Sequence, residues 1–162
     1  MFKRLWTTEL TENSATKKEE LGVEREEYDT TYGYRKFIYV QVAAGVTVAL
    51  GTALAYSDKK RQTVTTAFTV AAALGNKVAG VGIGAITAEY YGWIQTFGYH
   101  GGVKTDAGDD IVDGDTLVLH ASTAGVCEKV AINTAAPYRP LGVAVADDID
   151  ADNTVNTFLM VS

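Results

Sequence analysis

The chain has 162 residues, 47% of them hydrophobic, with a formal net charge of −6 and a sequence pI near 4.8. This acidic balance excludes a surface built to collect phosphates, because nucleic-acid binding rests on clustered Lys and Arg. The single cysteine, Cys127, excludes an internal disulfide framework.

The first 36 residues form one compositional unit. Fifteen of them are charged, from Lys3 and Arg4 to Arg35 and Lys36. Charges run through residues 1–30 and no apolar h-region interrupts them, so no secretory signal is expected. Such a segment has too little apolar surface to offset the entropy of its own ordering. Thr16 and Glu19 have the spacing of a capping box, which predicts a marginal helix over Thr16–Tyr28. Phe2, Leu5 and Trp6 near the tip are apolar anchors that need a neighbour. The reading is an N-terminal arm over 1–36, extended or partly helical, that docks in an assembly.

Residues 37–162 form the second unit, a body rich in Gly, Val, Thr and Ala. Phe37 to Tyr56 carries no charge over 20 positions, but Gly45 and Gly51 break it into short β-branched pieces. It reads as buried strands, not as a membrane span. Strands are predicted at 37–42, 46–50, 53–57, 63–70, 77–86, 90–98, 116–120, 126–132, 140–146 and 154–161. Ser57-Asp58, Gly75-Asn76, Gly101-Gly102, Asp113-Gly114 and Asp152-Asn153 mark turns between them. Within this body, alanine-rich residues 67–74 are the place where a short helix fits. Many short strands joined by Gly-rich turns imply an all-β fold, a small β-barrel or sandwich. Glycine opens a small-residue strand at Gly45, Gly80 and Gly142, a pattern that suits close backbone approach. About 125 residues of body are enough to bury roughly two thirds of the unfolded surface.

The stretch Tyr90 to Val103 carries the clearest strand pattern. Alternation puts Trp93, Gln95 and Phe97 on one side and Ile94 and Thr96 on the other. Trp93 and Tyr91 are therefore candidate core or interface anchors, together with Phe2, Leu5 and Trp6.

Sites of chemistry are not evident. Gly80, Gly82 and Gly84 precede another strand instead of a helix, so they do not make a dinucleotide fingerprint. Asp148, Asp150 and Asp152 resemble the start of a calcium loop, but Asn153 and Leu159 stand where Gly and Glu are required. They read as acidic turns, with a cation shared between subunits as the alternative. The second acidic cluster, Asp106 to Asp115, reads the same way. His100, His120 and Cys127 have no local signature of a nucleophile and base. No catalytic residue, metal site or cofactor is expected, and the protein is not expected to be an enzyme.

The motif Tyr91-Gly92-Trp93-Ile94-Gln95-Thr96 is followed by Gly108-Asp109, Asp113-Gly114-Asp115-Thr116-Leu117-Val118 and Pro140-Leu141-Gly142-Val143-Ala144-Val145-Ala146. In that order, over about residues 37–162, the chain resembles the head-decoration, or capsid-cement, proteins of tailed bacteriophages. The resemblance implies a compact β-tulip or jelly-roll-like body on the outer capsid surface, often as a homotrimer. It implies the major capsid protein and sister subunits as partners, with no nucleic acid and no membrane. Its function would be to cement the expanded shell. The alternative is another virion surface module: a head-fibre base, a tail-tube subunit or a carbohydrate-binding domain. The long charged arm departs from the shortest members of that family.

Overall fold

The computed structural model describes residues 6–67, 77–130, 139–147 and 153–161. Among these residues it is all-β. Ten strands share one sheet: β1 (Glu24–Asp29), β2 (Gly33–Val42), β3 (Ala53–Tyr56), β4 (Thr63–Thr65), β5 (Val78–Gly82), β6 (Tyr91–Lys104), β7 (Thr116–Leu119), β8 (Cys127–Lys129), β9 (Gly142–Ala144) and β10 (Thr154–Met160). Their order in the sheet is β1-β2-β4-β3-β5-β6-β10-β9-β7-β8, with a further pairing of β2 to β6. That pairing closes β2, β4, β3, β5 and β6 into a ring.

β6 is long because it serves both halves. Its first part pairs with β2 and β5, and its second part pairs with β10. From there the sheet continues through β9 and β7 to β8. A bridge between Thr105 and Cys127 ties the end of this second group back to the end of β6.

The two faces of the ring strands feed different cores. Val40, Val42, Leu54, Tyr56, Val64, Ala79 and Ile94 line the inside, joined by Val48 and Ile86. Ala53, Ala55, Val78 and Val81 point the other way, and pack with Val103, Leu117, Leu141, Val155 and Leu159 of the second group. Buried on both sides, these strands read as continuous apolar runs, which is why they were visible in the sequence.

Close strand contacts need bare backbone at two of the marked glycines. A Cβ on Gly80, where φ is +146°, would lie 2.3 Å from the Gln95 carbonyl oxygen. A Cβ on Gly142 would lie 2.4 Å from that of Phe158. Gly45 differs: it sits in a turn with open space around it, so the three-fold pattern is not one device.

Several boundaries depart from expectation. Residues 46–50 form a loop in which Val48 and Ile86 exchange backbone hydrogen bonds of 2.9 and 3.0 Å. β5 ends at Gly82, and β4 covers only Thr63–Thr65. Most of the alanine-rich stretch, Gly75-Asn76 and the Asp148, Asp150 and Asp152 cluster lie outside the described residues, as do Phe2 and Leu5.

The largest departure is the charged N-terminal segment. No helix forms over Thr16–Tyr28. Glu24–Asp29 is instead an edge strand, in register with β2 from Glu24 opposite Ile38 to Asp29 opposite Gly33. Residues 6–23 lie on the body. Ser14 and Tyr91 exchange backbone hydrogen bonds of 3.1 and 2.9 Å, and the Tyr39 N–H donates to the Val23 carbonyl at 3.1 Å. Glu19 does not cap a helix. Its carboxylate is buried and accepts from the Thr7 backbone N–H at 2.9 Å and the Thr7 hydroxyl at 2.7 Å.

Candidate interaction surface

β2 and β6 lie side by side, with Tyr39 opposite Trp93 and Phe37 opposite Gln95. Phe37, Tyr39 and Trp93 point away from the ring interior, and all three are buried. What buries them is the N-terminal segment. Trp6 meets Trp93 edge-on, with ring centroids 5.1 Å apart and planes at 87°. Leu10, Leu21 and Val23 pack against the same cluster, and Tyr91 stacks near Tyr39 at 6.4 Å. The indole N–H of Trp93 donates to the Thr8 hydroxyl at 2.9 Å, so the buried polar end of the ring has a partner. The Arg25 guanidinium lies 5.7 Å from the Trp6 ring and 5.8 Å from the Trp93 ring, and donates to the Thr8 carbonyl at 2.8 Å. Burial pushes the Tyr39 hydroxyl above its usual pKa. Trp6, Tyr91 and Trp93 are thus brought together inside one chain.

Phe97 leaves that face. Phe37 pairs with Gln95 while the preceding Lys36 pairs with Phe97, so Thr96 is an extra residue, a β-bulge. The bulge shifts the alternation and puts Phe97 on the face of Lys36 and Tyr34. It is held open by Gln95, buried at 1% exposure, whose amide nitrogen donates to the carbonyls of Phe97, Gly98 and Tyr99 at 3.1, 3.3 and 2.9 Å. Period-two reading of Trp93-Gln95-Phe97 missed it, because a bulge adds one residue without a compositional mark.

The shifted Phe97 completes a band of apolar side chains across five strands. Tyr28 and Tyr34 are opposite one another on β1 and β2. Tyr34 meets Phe97 at 6.1 Å, and Phe97 meets Phe158 of β10 at 5.3 Å, both edge-on. Met160 lies opposite Phe97, and Val143 of β9 opposite Phe158. Tyr28 is 75% exposed, and Tyr34, Phe158 and Met160 are each about two fifths exposed. At the β1 end the band is rimmed by charge. Lys36 contacts Glu26 at 3.0 Å, and hydrogen bonds from Tyr34 and Lys36 hold the Glu26 carboxyl below its usual pKa. Contiguous exposed apolar area of this kind marks interaction surfaces.

The three residues weighed for nucleophilic chemistry lie in different settings. Cys127 is buried in the core with Leu117 and Leu119. His120 organises its own loop, where its Nδ1 accepts from the backbone N–H groups of Ser122 and Thr123 at 3.1 and 2.8 Å. Its Nε2 faces Asp106 and Glu128 at 3.5 and 3.6 Å. His100 is buried against the Gly82 carbonyl. Among the described residues, no group of three or more His, Cys, Asp or Glu side chains is placed to hold a metal ion, and no helix is long and apolar enough to cross a membrane.

No protein-family model matches the chain, and no curated protein matches it. A solved structure does: the N-terminal base of the head fibre gp8.5 of bacteriophage phi29. It shares 17% sequence identity, covers 76% of this chain and 93% of that one, and superposes with a TM-score of 0.51. At that identity the likeness is one of fold: nearly the whole head-fibre base is traced by the all-β architecture described above.

Proposed function

We propose that this chain is a structural protein of a phage virion, seated on the outside of the head. The observation that carries the reading is the fold likeness to a head-fibre base, which extends over 93% of that chain. The sequence resemblance to head-decoration proteins leads to the same part of the particle. The role asks for no catalysis, only a rigid body and a surface that buries area against a neighbour. The band from Tyr28 to Met160 supplies such a surface, and the net charge of −6 suits exposure away from the packaged genome.

Two finer roles share this seat. As the base of a fibre, the chain anchors further protein to the shell. As a cement, it bridges neighbouring copies of the major capsid protein, self-associates as a homotrimer, and makes the shell harder to disrupt. The exposed band favours contact with a flat protein surface in either role. A specific contact of this kind buries about 1,200–2,000 Å².

The test is to add the purified protein to heads that lack it, sediment them, and locate the bound density by cryo-electron microscopy. Bound density outside the shell is the expected result, and failure to co-sediment sinks the reading. Heating then separates the two roles. A cement raises the temperature at which DNA is released, whereas a fibre base leaves it unchanged.

A further inference from the structure

One end of the ring opens into a pocket of about 270 Å³. Its floor is apolar: Ile38 of β2, Val78 at the start of β5, and Val161 just beyond β10. Tyr56, the last residue of β3, closes one side. Lys60 and Arg61, from the turn between β3 and β4, and Glu24 of β1 stand at the rim, all three exposed. Apolar walls with a few placed polar groups, at the mouth of a closed sheet, are a common form of small-ligand site.

The polar groups are open to a ligand. Tyr56 is only 6% exposed, yet its hydroxyl is not sealed in. It makes no hydrogen bond among the described residues, and it is not one of their inaccessible, unpartnered atoms. The charges that act on it come from Arg61 and Glu24, both on the pocket, and from Asp58. The hydroxyl thus faces the opening. Burial pushes its pKa up, so at neutral pH it keeps its proton as a donor. The Arg61 guanidinium lies 6.0 Å from the Tyr56 ring. The ion pairs of the described residues involve neither Arg61 nor Lys60. Arg61 also takes a left-handed backbone conformation, φ +57°, where glycine would turn the chain at lower cost. The residue therefore serves the pocket better than it serves the turn.

The charge balance at this mouth runs against that of the whole chain, whose net charge is −6. A neighbouring depression shares Val78 and Val161 and adds Arg139. Lys60, Arg61 and Arg139 stand against Glu24, while the Asp58 carboxylate is taken up by the Gln62 backbone N–H at 3.0 Å. A guanidinium holds a carboxylate through two parallel N–H donors. A small inorganic anion would leave the apolar floor uncovered, and a neutral ligand would leave both rim cations unmatched.

We propose that this pocket binds a short apolar group that ends in a carboxylate, with the hydrocarbon on Ile38, Val78 and Val161 and the carboxylate held by Arg61, Lys60 and the Tyr56 hydroxyl. The inference does not rest on the proposed seat on the phage head, because the free chain binds the ligand.

The test is an NMR titration of the full chain that follows the Arg61 side-chain N–H and the methyl groups of Ile38, Val78 and Val161. The probes are hexanoate, hexanol, the dipeptide acetylglycyl-leucine with a free carboxylate, and the same dipeptide as its amide. Saturable shifts with a Kd of about 1 mM are expected for at least one of the two acids, and binding about ten-fold weaker for its neutral counterpart. Whichever acid binds tighter tells whether a free acid or the end of a peptide is the source. Arg61→Gly removes the guanidinium and relieves the left-handed backbone. Its binding is expected to fall about ten-fold while its melting temperature holds or rises. Tyr56→Phe keeps the ring and removes a hydroxyl without a protein partner, and is expected to weaken binding about five-fold. The proposal is overturned if neither acid shifts these signals, if the neutral counterparts bind as well as the acids, or if Arg61→Gly binds unchanged.

Discussion

The two outward faces near the β2–β6 pair carry similar side chains and meet different fates. One presents Phe37, Tyr39 and Trp93, and the chain's own residues 6–23 cover it. The other presents Tyr34 and Phe97, continued by Phe158 and Met160, and stays open. The difference teaches that an aromatic residue on a strand does not announce an interface. What decides is whether the chain has a further segment with the right polar fittings to lie over it. Here Thr8, Glu19 and Arg25 supply those fittings on one face only.

The contrast breaks most sharply at Trp93. Trp93→Ala removes the centre of the covered cluster and is expected to cost about 3–5 kcal/mol. Urea unfolding measures it, and an unchanged midpoint would mean that the N-terminal segment does not seal this face. Thr8→Val is a milder version. It leaves the buried indole N–H without an acceptor, at about 1–3 kcal/mol, while Trp6 still covers the ring.

The open face is expected to respond in the opposite way. Tyr28→Ser and Met160→Ser should each change stability by no more than about 0.5 kcal/mol. Together they should remove binding to phage heads, since exposed anchors of an interface are worth about 2 kcal/mol or more each. Co-sedimentation beside a melting curve separates the two quantities. Loss of stability with binding intact would exchange the roles assigned to the two faces.

The smallest effect is a pH dependence. Burial holds the His100 pKa below its usual 6.5, so in mild acid the unfolded chain binds a proton that the folded chain refuses. Stability contributed by neutral His100 is complete above about pH 6.5 and falls as pH drops below it. In His100→Gln this part of the slope should vanish. Melting temperatures between about pH 7.5 and 5 test it; identical slopes would place the histidine in contact with water.

The body's strands were legible because buried strands leave unbroken apolar runs, as at Phe37–Val40 and Tyr91–Ile94. β1 was not. Its alternation is carried by Glu24, Arg25, Glu26 and Glu27, where hydrophobicity has no contrast to offer, yet Arg25 and Glu27 face inward and pair with each other. The open band was missed for a related reason. Its members come from β1, β2, β6, β10 and β9, and only the Thr96 bulge and the sheet order bring them together. Trp6 reads from the sequence as an anchor for docking in an assembly, and in the structure it packs on Trp93 of the same chain.

β1 also ends the sheet, and its outer edge has consequences for many copies kept at close quarters. Two such strands meeting head to tail about their centre would set Glu24 against Asp29 and Glu26 against Glu27. Each encounter would bring carboxylates together along a row of free backbone groups, the arrangement that discourages strands from zipping up. Pairing of one β1 edge with another in that register is thus disfavoured, so copies brought close together are kept from joining through this edge.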